Sequence, residues 1–461
     1  MLKTITVNIA NVRESDRLEP NYWVIANFVD SVLKLHKHRK LADYSRFVKK
    51  GIFDLRAARY KENGVPFLRI SNIKYFELNT EDLVYISNED NMANRSTILR
   101  HGDIAFSKIG TLGKLLRIGK RYPEVNISQN LIGVGLKSDV NKNYIFAYLL
   151  SKLSLLQIKK NKKRQLQDKL NLADIRDIAV VEIPEDKVKL IDGLVEEAEL
   201  KAEKAVAVLS QAQEYFFQRA TVDFSKIQRP KYYSVMLSSF KDADIWNSNY
   251  SYPFYINTLQ AIQRKWKTVR LGEITTAKKG DEVGSDNYNT YLGKKDTDIP
   301  FIRTSDLVNY EVDQFPDFYI PEEIYRELKQ DIKAGDIVYS NDGKIGLVAM
   351  LTAEDKVILQ SHIKRLRLNK EAMEKYHFTQ EHLFLLLTIK EVARYQAERY
   401  TVIQSTIPTI SKHIRDFEIP ILDQDTVDEI TKLVKEAFIL KDQKKLLIKR
   451  VREEIDNYLG I

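Results

Sequence analysis

The sequence predicts an α/β protein: two mixed α/β domains separated by two long antiparallel coiled-coil helices, with a pseudo-twofold internal repeat. Three observations predict it. In residues 185–220 the apolar positions Val188, Ile191, Leu194, Val195, Ala198, Ala202, Ala205, Leu209, Ala212 and Phe216 advance by three or four, the mark of a helix with one apolar stripe. Opposite them run Glu196, Glu197, Glu199, Lys201, Glu203 and Lys204, which read as a solvated face. Residues 425–459 carry a second stripe, from Val427, Ile430 and Val434 to Val451, Ile455 and Tyr458. Neither stripe is stable in water, and each is the natural partner of the other. The third observation is that the chain before each helix reads alike.

The predicted boundaries are 1–184 for the first domain, 185–220 for the central helix, 221–422 for a linker and the second domain, and 423–461 for the closing helix. Pro184 stands just before the central helix, where its missing N–H costs nothing. In the first domain, RLEPNYW (17–23) leads through a helix-like segment (24–35) to KLADYSRFVKKG. VPFLRISNI (65–73) alternates as a strand and turn do. LRHGDIAFSKIGTLGKLLRIG (99–119) offers a turn, a strand, a Gly-punctuated loop and a second strand. NISQNLIGVGL (126–136) reads as a strand and YIFAYLLSKLSLLQI (144–158) as a helix. The basic run KKNKKRQLQDK follows, and LNLADIRDIAVVEIP enters the central helix.

The order then starts again. RLGEITTAKKG echoes KLADYSRFVKKG, and IPFIRTSDL matches VPFLRISNI, with Pro300 answering Pro66. AGDIVYSNDGKIGLVAM matches HGDIAFSKIGTLGKLLR, and HIRDFEIPIL matches DIRDIAVVEIP. This is a long-period duplication rather than a solenoid of short units. It implies related surfaces turned in related directions, as in the half-sites of a DNA-binding dimer.

Composition narrows the function. The 461 residues contain no Cys, which excludes disulfides and cysteine chemistry and suits a reducing cytosol. Seven scattered His show no HxxxH or HExxH spacing, so no metal site is expected. The N-terminus lacks the basic-then-apolar order of a signal peptide, and no apolar run reaches membrane-spanning length, so a cytoplasmic location is expected. The net charge of +9 favours an acidic partner only where the cations gather.

Gly102-Asp103 and Gly335-Asp336 read as tight turns rather than catalytic pairs. Gly110, Gly113, Gly343 and Gly346 lack the GK[ST] or GxGxxG context of a phosphate cradle. Asp317, Glu327 and Lys329 superficially resemble a PD…ExK nuclease site, but EEIYRELK reads as a helix and the first copy has no such acids. No catalytic residue is predicted, and neither a Walker motif nor an amino-methyltransferase Asn/Asp-Pro-Pro-Tyr/Phe motif is present.

Basic residues mixed with short polar ones recur at matching places. The first copy has Lys49, Lys50, Arg56, Arg59, Arg69, Ser71, Asn72, Lys108 and Lys114. The second has Lys278, Lys279, Lys294, Lys295, Arg303, Ser305, Asp306, Asn341 and Lys344. Lys159, Lys160, Lys162, Lys163 and Arg164 form the densest cluster. Lys and Arg neutralise phosphates, while Arg, Asn, Gln and Ser can read base edges. Arg69 and Arg303 can equally fix a neighbouring carboxylate. The duplicated set predicts binding to double-stranded DNA.

The paired PFxRxS(N/D) strands, GDI(A/V)xS…G…G loops, Gln-containing strands and IRD…IP runs resemble the specificity subunits of type I restriction–modification systems, over nearly the whole chain. The resemblance implies two target-recognition domains, each reading one half of a bipartite DNA sequence. It implies that the helices dock two methyltransferase subunits, which use S-adenosylmethionine, and that two translocase–nuclease subunits join the full complex. No cofactor is expected on this chain itself. The resemblance also points to Gln404, Ser405 and Thr406, in QSTIP, as DNA contacts; the first copy departs with RQLQDK. Neither IPEDKVKLI nor ILDQDTVDEI keeps the family's Glu-Gln pair at the helix start. At about 1.5 Å rise per residue the helices set a spacer of about 50 Å, implying a gap between half-sites of roughly 5 to 8 base pairs. The readings from other classes are a metal-dependent endonuclease and a coiled-coil adaptor.

Overall fold

The two apolar stripes form two helices of 36 residues each, a central helix Glu185–Ala220 and a terminal helix Gln424–Leu459. Asp423 caps the terminal helix by accepting the Thr426 N–H at 3.0 Å. The computed structural model of the protein describes residues 7, 12, 19–53, 55–74, 76–109, 114–160, 170–240, 245–283, 298–404 and 406–461. Each helix is shared between two units, one of Met1–Leu200 with Lys444–Ile461 and one of Lys201–Gln443. In the first unit Ile191, Leu194 and Val195 of the central helix share a core with Val451, Ile455 and Leu459 of the terminal helix. In the second unit Leu209, Ala212 and Phe216 share a core with Val427, Ile430 and Val434. The start of one helix therefore meets the end of the other, as the stripes require of an antiparallel pair. Lys187–Glu454 (3.2 Å) and Lys204–Glu436 (3.0 Å) flank the two seams.

The first unit holds an antiparallel four-stranded sheet in the order Ser45–Lys50, Leu131–Leu136, Ile104–Ser107, Leu115–Arg117. A smaller sheet beside it orders Val84–Ile86, Val65–Leu68, Glu124–Ile127 and Leu99–Arg100, with Val65–Leu68 and Glu124–Ile127 parallel. The second unit repeats the large sheet as Thr275–Lys279, Ile363–Leu368, Ile337–Ser340, Val348–Met350. Its smaller sheet has three strands, Phe318–Ile320, Ile299–Ile302 and Ile358–Leu359, the last two again parallel. Strand order and register thus confirm the repeat and the mixed α/β class.

The Gly-Asp turns behave as the sequence predicts. Gly102 and Gly335 sit at φ 80° and 84°, a region that a side chain disfavours. Asp103 accepts the Arg100 N–H at 3.0 Å and Asp336 the Lys333 N–H at 2.8 Å. Gly343 and Gly346 also have positive φ, as turn residues do; Gly110 and Gly113 lie outside the described residues.

One helix residue departs from the predicted pattern. Glu199, assigned to the solvated face, is buried because the strand Leu115–Arg117 covers that part of the central helix and supplies Arg117. Lys441, Lys444 and Lys445 of the terminal helix are buried as well.

Candidate nucleic-acid interface

In each repeat the second inner strand of the large sheet ends in a junction of the same construction. In the first, Lys108 donates its N–H to the Asn130 carbonyl (3.0 Å) and accepts the Leu170 N–H (3.0 Å). In the second, Asn341 donates to the His362 carbonyl (2.8 Å) and accepts the Ile410 N–H (3.1 Å). The serine before each residue closes the loop after it, Ser107 Oγ to the Ile109 carbonyl (2.9 Å) and Ser340 Oγ to the Lys344 carbonyl (2.6 Å). Backbone bonds fix the frame, while the side chains mounted on it differ.

Two exposed cation pairs lie on the edge strands of the large sheets. Lys49 and Lys50 are exposed at the end of Ser45–Lys50, and Lys278 and Lys279 at the end of Thr275–Lys279. Lys278 Nζ also donates to the Lys329 carbonyl at 3.1 Å. Ser71 and Ser305 are exposed in matching turns, and Lys108 and Lys344 are half-buried at the junctions. Lys160, half-buried, closes the helix Lys152–Lys160. Thr406 is exposed in the hairpin formed by Val402–Gln404 and Ile407–Thr409. Lys162, Lys163, Arg164, Lys294, Lys295 and Ser405 lie outside the described residues, as does the side chain of Gln404.

Other predicted contacts turn inward. Asn72 is buried, and its Oδ1 accepts the Arg69 N–H (2.9 Å) while its Nδ2 donates to the Asn79 carbonyl (2.9 Å). Asp306 does the same for Arg303 N (3.0 Å). These residues shape the turn after the PFxR strand rather than face solvent. Arg69 donates to the Asp82 carbonyl, and Arg303 donates to Asp317 Oδ2 (2.7 Å) with its guanidinium 4.2 Å above the Phe318 ring. Asp317 is thereby paired with an arginine through Oδ2. Lys114 and Asn341 are buried too.

The sequence reading missed a polar group at the second junction. Asp342 accepts from His362 Nδ1 (3.0 Å), from Asn341 Nδ2 (2.7 Å) and from the Thr409 hydroxyl. Burial alone pushes its carboxyl upward, but the three donors outweigh that and hold it below the ordinary aspartate value. Close by, Lys364 donates to the Ser411 carbonyl, and burial pushes its ammonium down to about 8. His362 and Asp342 are 20 residues apart in the chain, so only the pairing of their strands unites them. Two further pairs were equally hidden. In the first unit Glu77 accepts from the buried Lys444 (2.6 Å); in the second Glu311, at the same place in the repeat, accepts from the buried Lys441 (3.1 Å).

Comparison with known proteins gives the same pattern. The model of the type I restriction modification DNA specificity domain matches twice, at residues 36–193 and 263–450. No curated protein matches the sequence. Among solved structures the chain is similar to the type I restriction–modification S subunit from M. genitalium, at 13% identity, with 92% of this chain and 94% of that one covered and a TM-score of 0.33. It is also similar to the HsdS subunit from Thermoanaerobacter tengcongensis, at 12% identity, with 91% and 95% covered and a TM-score of 0.29. The family model falls once on each copy of the repeat and spans well over half the chain, so the protein belongs to the type I restriction–modification DNA specificity family, whose members recognise DNA sequence.

Proposed function

We propose that this chain is the non-catalytic reader of a type I restriction–modification assembly, each repeat contacting one half of a bipartite DNA target. The central and terminal helices dock two methyltransferase subunits, which bring S-adenosylmethionine, and translocase–nuclease subunits join the complete assembly in the cytoplasm. The duplication supports this reading: one frame, built twice, carries an exposed lysine pair at the same edge of each large sheet, Lys49–Lys50 and Lys278–Lys279. Paired cations on matching frames suit two stretches of phosphate backbone, while the differing junctions suit two different base sequences.

The test is methylation by the chain assembled with its methyltransferase subunits, on a DNA library randomised in sequence and in gap. A two-part motif with a fixed gap is expected. DNA affinity should fall steeply with salt, by about 0.9 in log K per log unit of salt for each phosphate neutralised. Neutralising Lys49, Lys50, Lys278 and Lys279 should flatten that slope and weaken all sequences alike. A changed motif with an unchanged slope would remove these lysines from the phosphate contacts.

A further inference from the structure

The two junctions share their backbone bonds and differ in the chemistry they present. Where the first copy has Lys108, Ile109 and Asn130, the second has Asn341, Asp342 and His362. In the second copy the carboxylate of Asp342 is mostly covered, whereas the His362 ring beside it is 37% exposed. An ionised carboxylate can only accept, so the hydrogen between Asp342 Oδ2 and His362 Nδ1 belongs to the imidazole. With Nδ1–H committed, the acceptor form of the ring is the one with its lone pair on Nε2. Asn341 and Thr409 hold the carboxylate from its other oxygen, so the ring is fixed through a bonded chain rather than free to rotate. Asn341 Oδ1 is itself buried with no partner among the described residues, so one more acceptor is left at this junction.

We propose that His362, oriented by Asp342, is a base-reading residue of the second domain, its Nε2 accepting a hydrogen bond from an exocyclic amino group in the major groove. The amino donors there are adenine N6 and cytosine N4; guanine O6 and N7 are acceptors and do not pair with a bare lone pair. Asp342 is a positioning residue: it sets the tautomer and direction of the ring. The first junction has no acid at the corresponding Ile109 and carries Lys108, whose ammonium can only donate, in place of Asn341, so the chemistry at equivalent places differs between the two repeats. The proposal rests on the DNA-reading function above and adds to it a residue and a class of base.

The experiment uses the chain assembled with its methyltransferase subunits and the same randomised library. His362→Phe should lower discrimination at one base pair of one half-site about tenfold, as loss of one specific hydrogen bond does, with the other half-site unchanged. The library shows whether the released position was adenine or cytosine. His362→Gln, whose amide oxygen still accepts, should retain most of the preference. His362→Arg, a donor only, should move it toward guanine. Asp342→Leu should blur the same base pair and no other. Equal weakening of every sequence would make His362 a phosphate contact or a structural residue and overturn the proposal. So would a motif unaltered in His362→Phe, His362→Arg and His362→Gln alike. If the wild-type assembly shows no sequence preference, the proposed function itself fails, a result distinct from a specific wild type with an indifferent His362.

Discussion

At the same point of the two repeats, where the outer strand of the large sheet meets a long helix, the first copy buries an ion pair and the second buries hydrocarbon. Arg117 ends the strand Leu115–Arg117, and its guanidinium lies 2.9 Å from Glu199 of the central helix. The corresponding strand Val348–Met350 ends in Met350, and the residue of the terminal helix corresponding to Glu199 is Phe438. Met350 and Phe438 are buried in one core, with Phe438 set edge-on against Phe384, ring centres 5.0 Å apart. The side chains of Arg117 and Glu199 are only 6% and 10% exposed. Glu199 also accepts the Lys120 N–H at 2.9 Å, and His101 Nε2 accepts from Arg117 Nη2 at 3.0 Å. The apolar copy shows that this fold does not need the ions to hold strand to helix. What the ion pair adds is vulnerability, because desolvating two charges offsets most of their attraction, while losing either one strands the other.

The largest expected effect follows. Glu199→Leu leaves Arg117 buried without its acid and should destabilise the first unit by about 3–5 kcal/mol, read as a lower thermal unfolding midpoint. Arg117→Met combined with Glu199→Phe transplants the second copy's solution and should recover most or all of that loss. If the double variant unfolds as early as the single one, the two junctions are not interchangeable. Burial raises the Glu199 carboxyl, but Arg117 and the Lys120 N–H outweigh it and hold the group below its ordinary value. Its contribution is therefore present above the ordinary carboxylate range and lost as the pH falls through the depressed value.

A second pair of equivalent positions differs in how it satisfies a buried ring. The helix Lys142–Leu150 begins with Asn141 capping the Tyr144 N–H (2.7 Å), and Gln380–Thr388 begins with Thr379 capping His382 (3.1 Å). Tyr144 is buried with its hydroxyl donating to the Val181 carbonyl at 2.5 Å. His382 is fully buried against Phe378, with neither ring nitrogen bonded among the described residues. Burial alone pushes its imidazole from 6.5 down to about 3. The folded ring stays neutral while the unfolded one takes a proton, so stability falls as the pH drops below the unfolded value. His382→Phe removes this term. Its stability advantage over the wild-type chain should widen by about 2 kcal/mol between about pH 7.5 and about pH 5, measured by denaturant unfolding. An unchanged gap would mean that the imidazole is protonated or bonded in the fold.

The repeat was legible because each copy spells out the same turns: a proline-bearing strand, a Gly-Asp turn, an IRD run into a helix. The long helices were legible from their stripes. Glu199 was not, since helical periodicity marks which residues are polar and not which polar face a strand will cover. Lys441 and Lys444 escaped for the same reason; a buried lysine has the same sequence signature as an exposed one until its acid is placed. The exposure of the edge pairs Lys49–Lys50 and Lys278–Lys279 was legible because they repeat and sit at strand ends. Asn72 has a short polar counterpart in Asp306, yet the place both take in the turn is a cap, which short polar residues supply as readily as a base contact. Asp342 with His362 left no repeated signal, because the first copy has Ile and Asn in those positions.

The smallest effect concerns the acid of the Gly-Asp turn, buried in both copies but neutralised from different strands. Asp103 receives Arg46 (2.9 Å) from the edge strand, Lys142 (3.3 Å) from the following helix, and the Leu136 N–H (3.0 Å). Asp336 receives Arg367 twice, through Nε at 2.6 Å and Nη2 at 2.7 Å, from the strand next to that edge. Gly135 answers Arg367 in the repeat and is filled over by the Phe47 ring, which a Cβ at Gly135 would strike at 2.4 Å. Phe47 occupies the space, and the first copy's arginine stands one residue and one strand away, at Arg46. Arg46→Met should cost less than about 1 kcal/mol, because Arg46 is 41% exposed and Asp103 keeps Lys142 and its backbone donors. Arg367→Met removes a bidentate partner and leaves Asp336, among the described residues, with the Lys333 N–H as its donor, so it should cost about 1–2 kcal/mol more than the first variant. Thermal unfolding of the two single variants compares them directly. Equal losses would show that the shared turn, not its arginine, bears the strain of burying the acid.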